Sequence, residues 1–363
     1  MLKKALIILL CPLLCSFSLM GCSEADTYEI PLNSELLYGR NILSTMPNSK
    51  ALLYAYDNIV SGVNKSLKEI PVSNNTLHIS KEELIMVMDT YRRDHVEHFW
   101  FGNSYNYTYN DETIINLKPQ YTMSGYKLKE AKQKLEEKVL KLLDGITSSM
   151  SEYEKELLIH DSLAQSTVYV ESKNSHNLYG AIVEGKAVCE GYAEAFQYLL
   201  NRAGISSFIV IGNSKNPSDK DGTSQAHAWN LVRIDNEYYH VDLTWDDQKN
   251  HTYHSYFNVS DDVILQDHEI TPTNYQLPAC NSSTANYFVK NDTYITDYTL
   301  DEIVALFDKS NKANLYLDGD VEAFLSWYKN NIVTIAEKIG IKGSFEYSSE
   351  ILGNEIVLTI TTE

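Results

Sequence analysis

The sequence predicts an α+β chain. An antiparallel sheet and a helix presenting a cysteine form its core, flanked by a mixed helical N-terminal region and a small α/β C-terminal domain. Three observations predict this. Capping boxes at Ser80/Glu83, Ser151/Glu154 and Thr299/Glu302 open helical runs. Leu128, Ala131, Leu135, Val139 and Leu142 recur at the 3.6-residue period of one helix face. Strand-like runs meet at Asp235-Asn236 and at Gly353-Asn354, pairs suited to tight hairpin turns.

The N-terminus reads as an address. Lys3 and Lys4 precede an apolar run from Ala5 to Phe17, which is too short for a comfortable membrane span. Leu19-Met20-Gly21-Cys22 resembles the lipobox of bacterial lipoproteins, and the resemblance implies that Cys22 is lipidated and becomes the first mature residue. Residues 1–21 are then a signal peptide and 22–32 a polar tether; the alternative is an uncleaved anchor. Both readings place the folded part outside the cytoplasmic membrane.

Residues 33–124 read as a mixed α/β region. Two helices break near Met46-Pro47, because proline lacks an N–H and disfavours helix just before it. A helix runs from Ser80 to about Arg93, and strands over His98–Tyr109 and Thr113–Leu117 flank Asn110-Asp111. Residues 125–284 form the core region, with helices over 125–145 and from Ser151 through Ala164. In the latter, His160-Asp161 reads as structural. Residues 285–363 form the small C-terminal domain, with a strand at Ala313–Leu317, a helix at Val321–Ile339 and a hairpin of Phe345–Tyr347 with Ile356–Ile360.

Chemistry concentrates in 176–247. Gly185 to Ala193 reads as a loop entering a helix near Cys189, and Ala203-Gly204 ends that helix. A cysteine in the first helical turn meets free N–H groups and the positive end of the macrodipole, and both favour thiolate. By position alone Cys189 could equally be an inert core thiol. Its partners decide. Ser207–Ile211, Ala226–Ile234 and Glu237–Leu243 read as strands. A turn with φ > 0 at both Asp235 and Asn236 sets Ile234 opposite Glu237, Trp229 opposite Asp242 and His227 opposite Thr244. His227 and Asp242 then share a face as diagonal neighbours. That set suits nucleophilic catalysis: a thiolate attacks an acyl carbon, an imidazole manages the proton and a carboxylate orients the imidazole. A helix-end N–H at Cys189 could serve the oxyanion, with Tyr179 as the candidate second donor and packing as its alternative role. Trp229 and Trp245 are candidate cleft walls, with core packing as their alternative role.

Four segments carry a resemblance: His176-Asn177-Leu178-Tyr179-Gly180, Gly185-x-Ala187-Val188-Cys189-x-Gly191-Tyr192-Ala193, His227-Ala228-Trp229-Asn230 and Tyr239-x-Val241-Asp242-x-Thr244-Trp245-Asp246. Together they resemble the bacterial transglutaminase-like core over about 150–290. The resemblance implies a papain-like α+β core with catalytic Cys189, His227 and Asp242. The family includes transglutaminases, cysteine proteases, peptide amidases and members without activity. His268 with Pro278-Ala279-Cys280 is similar to the segment that follows this core in bacterial members, and no role is carried over to it.

The implied function is cleavage or transfer of acyl groups at amide bonds through a thioester, with hydrolysis slightly favoured. The substrate would be a protein or peptide outside the cell, cell-wall peptide included. The alternative is a catalytically inactive, lipid-anchored binding module. No cofactor and no metal are expected. Asp246-Asp247 and Asp261-Asp262 lack EF-hand spacing, and His95-x-x-His98 and His251-x-x-His254 lack a cysteine pair. A net charge of −19 without a long basic run excludes nucleic acid as a partner class. Only Cys189 and Cys280 lie beyond the first 22 residues, too few for a disulfide framework. The 26 tyrosines suit clefts and surfaces but select no ligand.

Overall fold

Pro47 sits where the first helical run breaks, between α1 (Tyr38–Thr45) and α2 (Ser49–Asn64). The computed structural model describes residues 36–215, 224–248, 251–273 and 275–362. Cys22, the signal peptide and the tether lie outside them. Helix α3 (Lys81–Asp94) opens on the expected capping box: Glu83 N–H donates to Ser80 Oγ (3.2 Å) and Ser80 N–H to Glu83 Oε2 (2.8 Å). Asp94 at its end holds α1 by accepting from Gly39 N–H (2.8 Å) and Arg40 N–H (2.7 Å). The tyrosine-rich stretch is a hairpin of β1 (Phe101–Asn110) and β2 (Thr113–Tyr121), turning at Asp111 with φ 51°.

Helices α4 (Gly125–Leu142), α5 (Glu152–Ser166) and α6 (Cys189–Arg202) follow. The apolar stripe on α4 is buried at Leu128, Ala131, Leu135 and Val139, while most of its lysines and glutamates face water. The central sheet holds β3 (Ser207–Ser214), β4 (Gln225–Ile234), β5 (Glu237–Val241) and an edge strand β6 (His268–Ile270), in the order β6-β3-β4-β5 with antiparallel neighbours. Helix α6 packs on β4, and Asn230 fixes the contact by donating from Nδ2 to the Ala193 carbonyl (3.0 Å). One buried apolar cluster runs from Leu43 to Ala285. The regions 33–124 and 125–284 therefore share a single core, in which the apolar faces of α1–α3 are buried together with those of the elements that follow.

The C-terminal residues have their own cluster, from Ile303 to Ile360. Strands β7 (Tyr294–Ile295), β8 (Lys312–Leu317), β9 (Phe345–Leu352) and β10 (Glu355–Thr362) stack as β7-β8-β10-β9, with α7 (Leu300–Ala305) and α8 (Val321–Lys338) beside them. Glu355 ties this unit to the central one. Its carboxylate accepts from His254 N–H (2.8 Å), Ser255 Oγ (2.9 Å) and Asn314 Nδ2 (2.9 Å), and burial pushes its pKa up to about 7. No helix among the described residues is long and apolar enough to cross a membrane.

Candidate active site

Cys189 is the first residue of α6 and is partly exposed. The first intrahelical bond runs from Tyr192 N–H to the Val188 carbonyl (3.1 Å). The N–H groups of Cys189, Glu190 and Gly191 thus precede the helical ladder at the thiol's end of the dipole. Gly191 lets the helix start here, since a Cβ at that position would lie 2.2 Å from the Ser175 carbonyl oxygen. The His176–Gly180 segment builds this entrance. Asn177 Oδ1 accepts from Tyr179 N–H (3.0 Å) and Gly180 N–H (3.3 Å), and Leu178 N–H donates to Glu194 of α6 (3.0 Å).

The hairpin brings the other two groups together. Asp235 and Asn236 have φ of 50° and 71°, and Ile234 pairs with Glu237 through to Asn230 with Val241, the expected register. The sequence-level strand to Leu243 ends two residues early, at Val241. Asp242 instead caps a short turn of helix at Leu243–Asp246, with Trp245 N–H donating to its Oδ1 (3.2 Å), so the expected His227–Thr244 pairing does not form. The contact that matters is made regardless: His227 Nε2–H donates to Asp242 Oδ2 at 2.6 Å.

Both groups are buried, Asp242 completely. Burial opposes charge on His227, but Asp242 outweighs it and a hydrogen bond and charge interaction with Cys189 add to it, raising the pKa to about 10. Burial likewise opposes charge on Asp242, yet His227 and then His268 hold the carboxyl well below its usual range. With Nε2 engaged by Asp242, Nδ1 is the ring nitrogen left to the thiol.

His227 and Trp245 line an open groove of about 970 Å³, together with Tyr169, Asp247, His251 and Asp161. Trp229 does not line it. It is buried, stacks on His227 at 6.0 Å and donates from Nε1 to His240 Nδ1 (3.0 Å), because its β4 position faces the core behind the imidazole. The Tyr179 ring stacks on Phe99 (5.0 Å) and interacts with Lys134, Glu184 and Glu130, contacts that belong to the packing alternative. The tyrosine that senses Cys189 is Tyr169, whose strand residue pairs with Ala187 just before the nucleophile helix. Nothing in the sequence marks it.

Reasoning from sequence also left His268 without a role. Its Nε2–H donates to Asp242 Oδ2 (3.0 Å). His160 donates to Asp161 (3.0 Å) and to buried Asp246 (3.2 Å). Among the described residues, four histidine clusters lie close enough to hold a metal: His95/Glu97/His98, His160/Asp161/His254, His227/Asp242/His268 and His240/Asp261/Cys280. In each, imidazoles already face carboxylates, with His98 instead between Tyr91 and Asn64. Asp246 is taken by His160 and Tyr256 N–H (3.0 Å), and Asp261 by His240 (2.9 Å) and Cys280 N–H (3.0 Å).

Residues 141–243 match the family model of the transglutaminase-like superfamily, and the chain carries a transglutaminase-like domain there. That span includes Cys189, His227 and Asp242 but not His268. No curated protein matches the chain significantly. Among solved structures it is similar to a candidate cysteine protease from Cytophaga hutchinsonii (15% identity, TM-score 0.25, 40% of this chain and 62% of that one). It is similar to a TGase (14% identity, TM-score 0.26, 47% and 49%). It is also similar to an arylamine N-acetyltransferase from Bacillus cereus with a Cys-His-Glu catalytic triad (14% identity, TM-score 0.24, 31% and 49%). The chain spans about half to three fifths of the length of these structures.

Proposed function

We propose that this chain with a transglutaminase-like domain is an extracytoplasmic thiol enzyme that cleaves or transfers acyl groups at amide bonds, with Cys189 as nucleophile, His227 as proton carrier and Asp242 as orienting carboxylate. The observation that carries the reading is the imidazole of His227, held by Asp242 on one nitrogen and interacting with the Cys189 thiol, at the wall of an open groove.

The steps follow from these groups. The Cys189 sulfur forms a bond to the acyl carbon, and the carbonyl electron pair moves to oxygen near the free N–H groups at the start of α6. As the oxyanion collapses, the C–N bond breaks and His227 gives its proton to the departing nitrogen, leaving a thioester and a neutral imidazole. His227 then takes a proton from water or an amine as it attacks the thioester, and returns it to sulfur on release. Asp242 keeps Nε2 protonated and Nδ1 facing the thiol throughout.

Hydrolysis is the favoured outcome, since the groove is open to water. The substrate is a protein or peptide outside the cell, cell-wall peptide included. The chain reaches that location as a lipoprotein anchored through Cys22, and Cys22→Ser would move it from the membrane fraction to the soluble one.

The test incubates wild type and Cys189→Ala with a glutamine-containing peptide and a labelled primary amine. Ammonia release with label incorporated means transfer, and peptide cleavage or ammonia release alone means hydrolysis. The reading fails if neither occurs on peptide and cell-wall substrates while Cys189 reacts with iodoacetamide no faster than a free thiol.

A further inference from the structure

The carboxylate that orients His227 is shared. Strand β6 delivers His268, whose Nε2–H reaches the same Asp242 oxygen that takes the His227 proton, at 3.0 Å against 2.6 Å. The other nitrogen of His268, Nδ1–H, donates to Asp267 Oδ1 at 2.5 Å, and Tyr256 donates its hydroxyl proton to Asp267 Oδ2 at 2.6 Å. A continuous chain therefore runs His227–Asp242–His268–Asp267–Tyr256. Gly212 makes room for it. This glycine pairs with His227 on one side and with Ile270 on the other, and a Cβ there would lie 2.0 Å from the Glu269 carbonyl oxygen and 2.8 Å from the Trp229 ring.

With both nitrogens donating to carboxylates, His268 is doubly protonated. Burial opposes that charge, and Asp242 and Asp267 overcome it. Trp245 (4.5 Å), Trp229 (4.9 Å), His227 (5.4 Å) and Tyr256 (5.7 Å) pack around its ring. The charged and titratable groups facing it are Asp242, Asp267, His227 and Tyr256, with His240, paired to Asp261, acting at longer range. Two imidazoliums thus divide one carboxylate oxygen, and a second carboxylate balances the extra cation. Without His268, Asp242 Oδ2 would serve His227 alone, and only the Trp245 N–H on Oδ1 would hold the carboxylate on its other side.

We propose that His268 is a positioning residue for the thiol chemistry: it clamps the Asp242 carboxylate in place and, by drawing on the same oxygen, limits how firmly His227 holds its proton. This rests on the roles assigned above to Cys189, His227 and Asp242. It separates two contributions that substitution can pull apart. Glutamine at 268 can place an amide N–H near the Nε2 position without charge, whereas phenylalanine supplies neither donor nor charge.

The experiment follows the His227 imidazole by NMR titration in the full chain, alongside kcat and KM on whichever amide substrate wild type turns over. His268→Phe is expected to move the His227 titration up by about one pH unit, as a nearby cation is lost. It should lower kcat by about 10- to 100-fold with KM little changed, the size seen when an outer hydrogen-bond partner is removed. His268→Gln should recover most of the rate but keep the raised titration. Asp267→Asn should move the titration the opposite way, downward, because the cation on His268 is then less balanced. A merely structural role would not produce opposite signs. The proposal is overturned if the His227 titration is the same in wild type, His268→Gln and Asp267→Asn. It is also overturned if folded His268→Phe keeps the wild-type rate. The titration decides this point even if wild-type Cys189 proves unreactive, the result that sinks the parent reading.

Discussion

The two cysteines of the folded part keep similar company and differ in the order of it. Cys189 stands at a helix start with an imidazole beside it and a carboxylate behind that imidazole. Cys280 is fully buried with a carboxylate first: its N–H donates to Asp261 Oδ2 (3.0 Å), and His240 lies beyond on Oδ1 (2.9 Å). Burial pushes the Cys280 thiol up, and Asp261 pushes it further. The lesson is that a thiol, an imidazole and a carboxylate do not make a nucleophile by proximity. The nearest charge must be positive, and the backbone must offer N–H groups rather than an apolar wall.

The strongest way to break this comparison is to exchange the roles. Cys189→Ala should lower turnover at least about 1,000-fold, while Cys280→Ala should leave it within about twofold. Comparable losses in both would end the distinction. Asp242→Asn is expected to cost about 100- to 10,000-fold in kcat by releasing the His227 tautomer, and Asp261→Asn to leave kcat unchanged. Next is selectivity of labelling. Near neutral pH, iodoacetamide should modify Cys189 alone in the native chain and Cys280 only after denaturation, as read by peptide mass spectrometry.

The pH dependence sharpens the comparison further. His227 has its pKa raised to about 10, so the imidazolium that protonates the leaving group is present below that pH and lost above it. The alkaline limb of kcat/KM, which reports the free enzyme, should therefore lie near pH 10, and a limb near the ordinary histidine value of about 6.5 would contradict the His227–Asp242 coupling. Smallest is a change in the scaffold. Asn230→Ala removes the side-chain bond that ties β4 to the Ala193 carbonyl of α6, with an expected cost of about 0.5–1.5 kcal/mol of stability by denaturant unfolding.

Legibility followed the range of the interactions. Helix starts were readable because a capping box is closed within four residues, as at Ser80, Ser151 and Thr299. The His227–Asp242 contact was readable because one two-residue turn sets the register that unites them. The same reasoning overran the strand at Asp242, where a side-chain cap to Trp245 N–H competes with the next ladder bond. It left Tyr179 and Trp229 between a cleft role and a packing role, because sharing a face with His227 does not say how deep along the strand Trp229 sits, and motif order does not say what Tyr179 packs against. The shared core of 33–124 with 125–284 was likewise invisible, since it depends on which apolar faces meet.

By itself the amino-acid sequence determined the helix starts and the hairpin register that brings His227 to Asp242, both set by local hydrogen bonds and backbone preferences. Only the tertiary structure decided what stands around them. His268 reaches Asp242 by pairing β6 on the far side of β3, and Tyr169 is carried to the segment before Cys189 by a two-residue strand paired with Lys186–Ala187. Contacts of that kind are chosen by how separate segments pack, and no local periodicity records the choice.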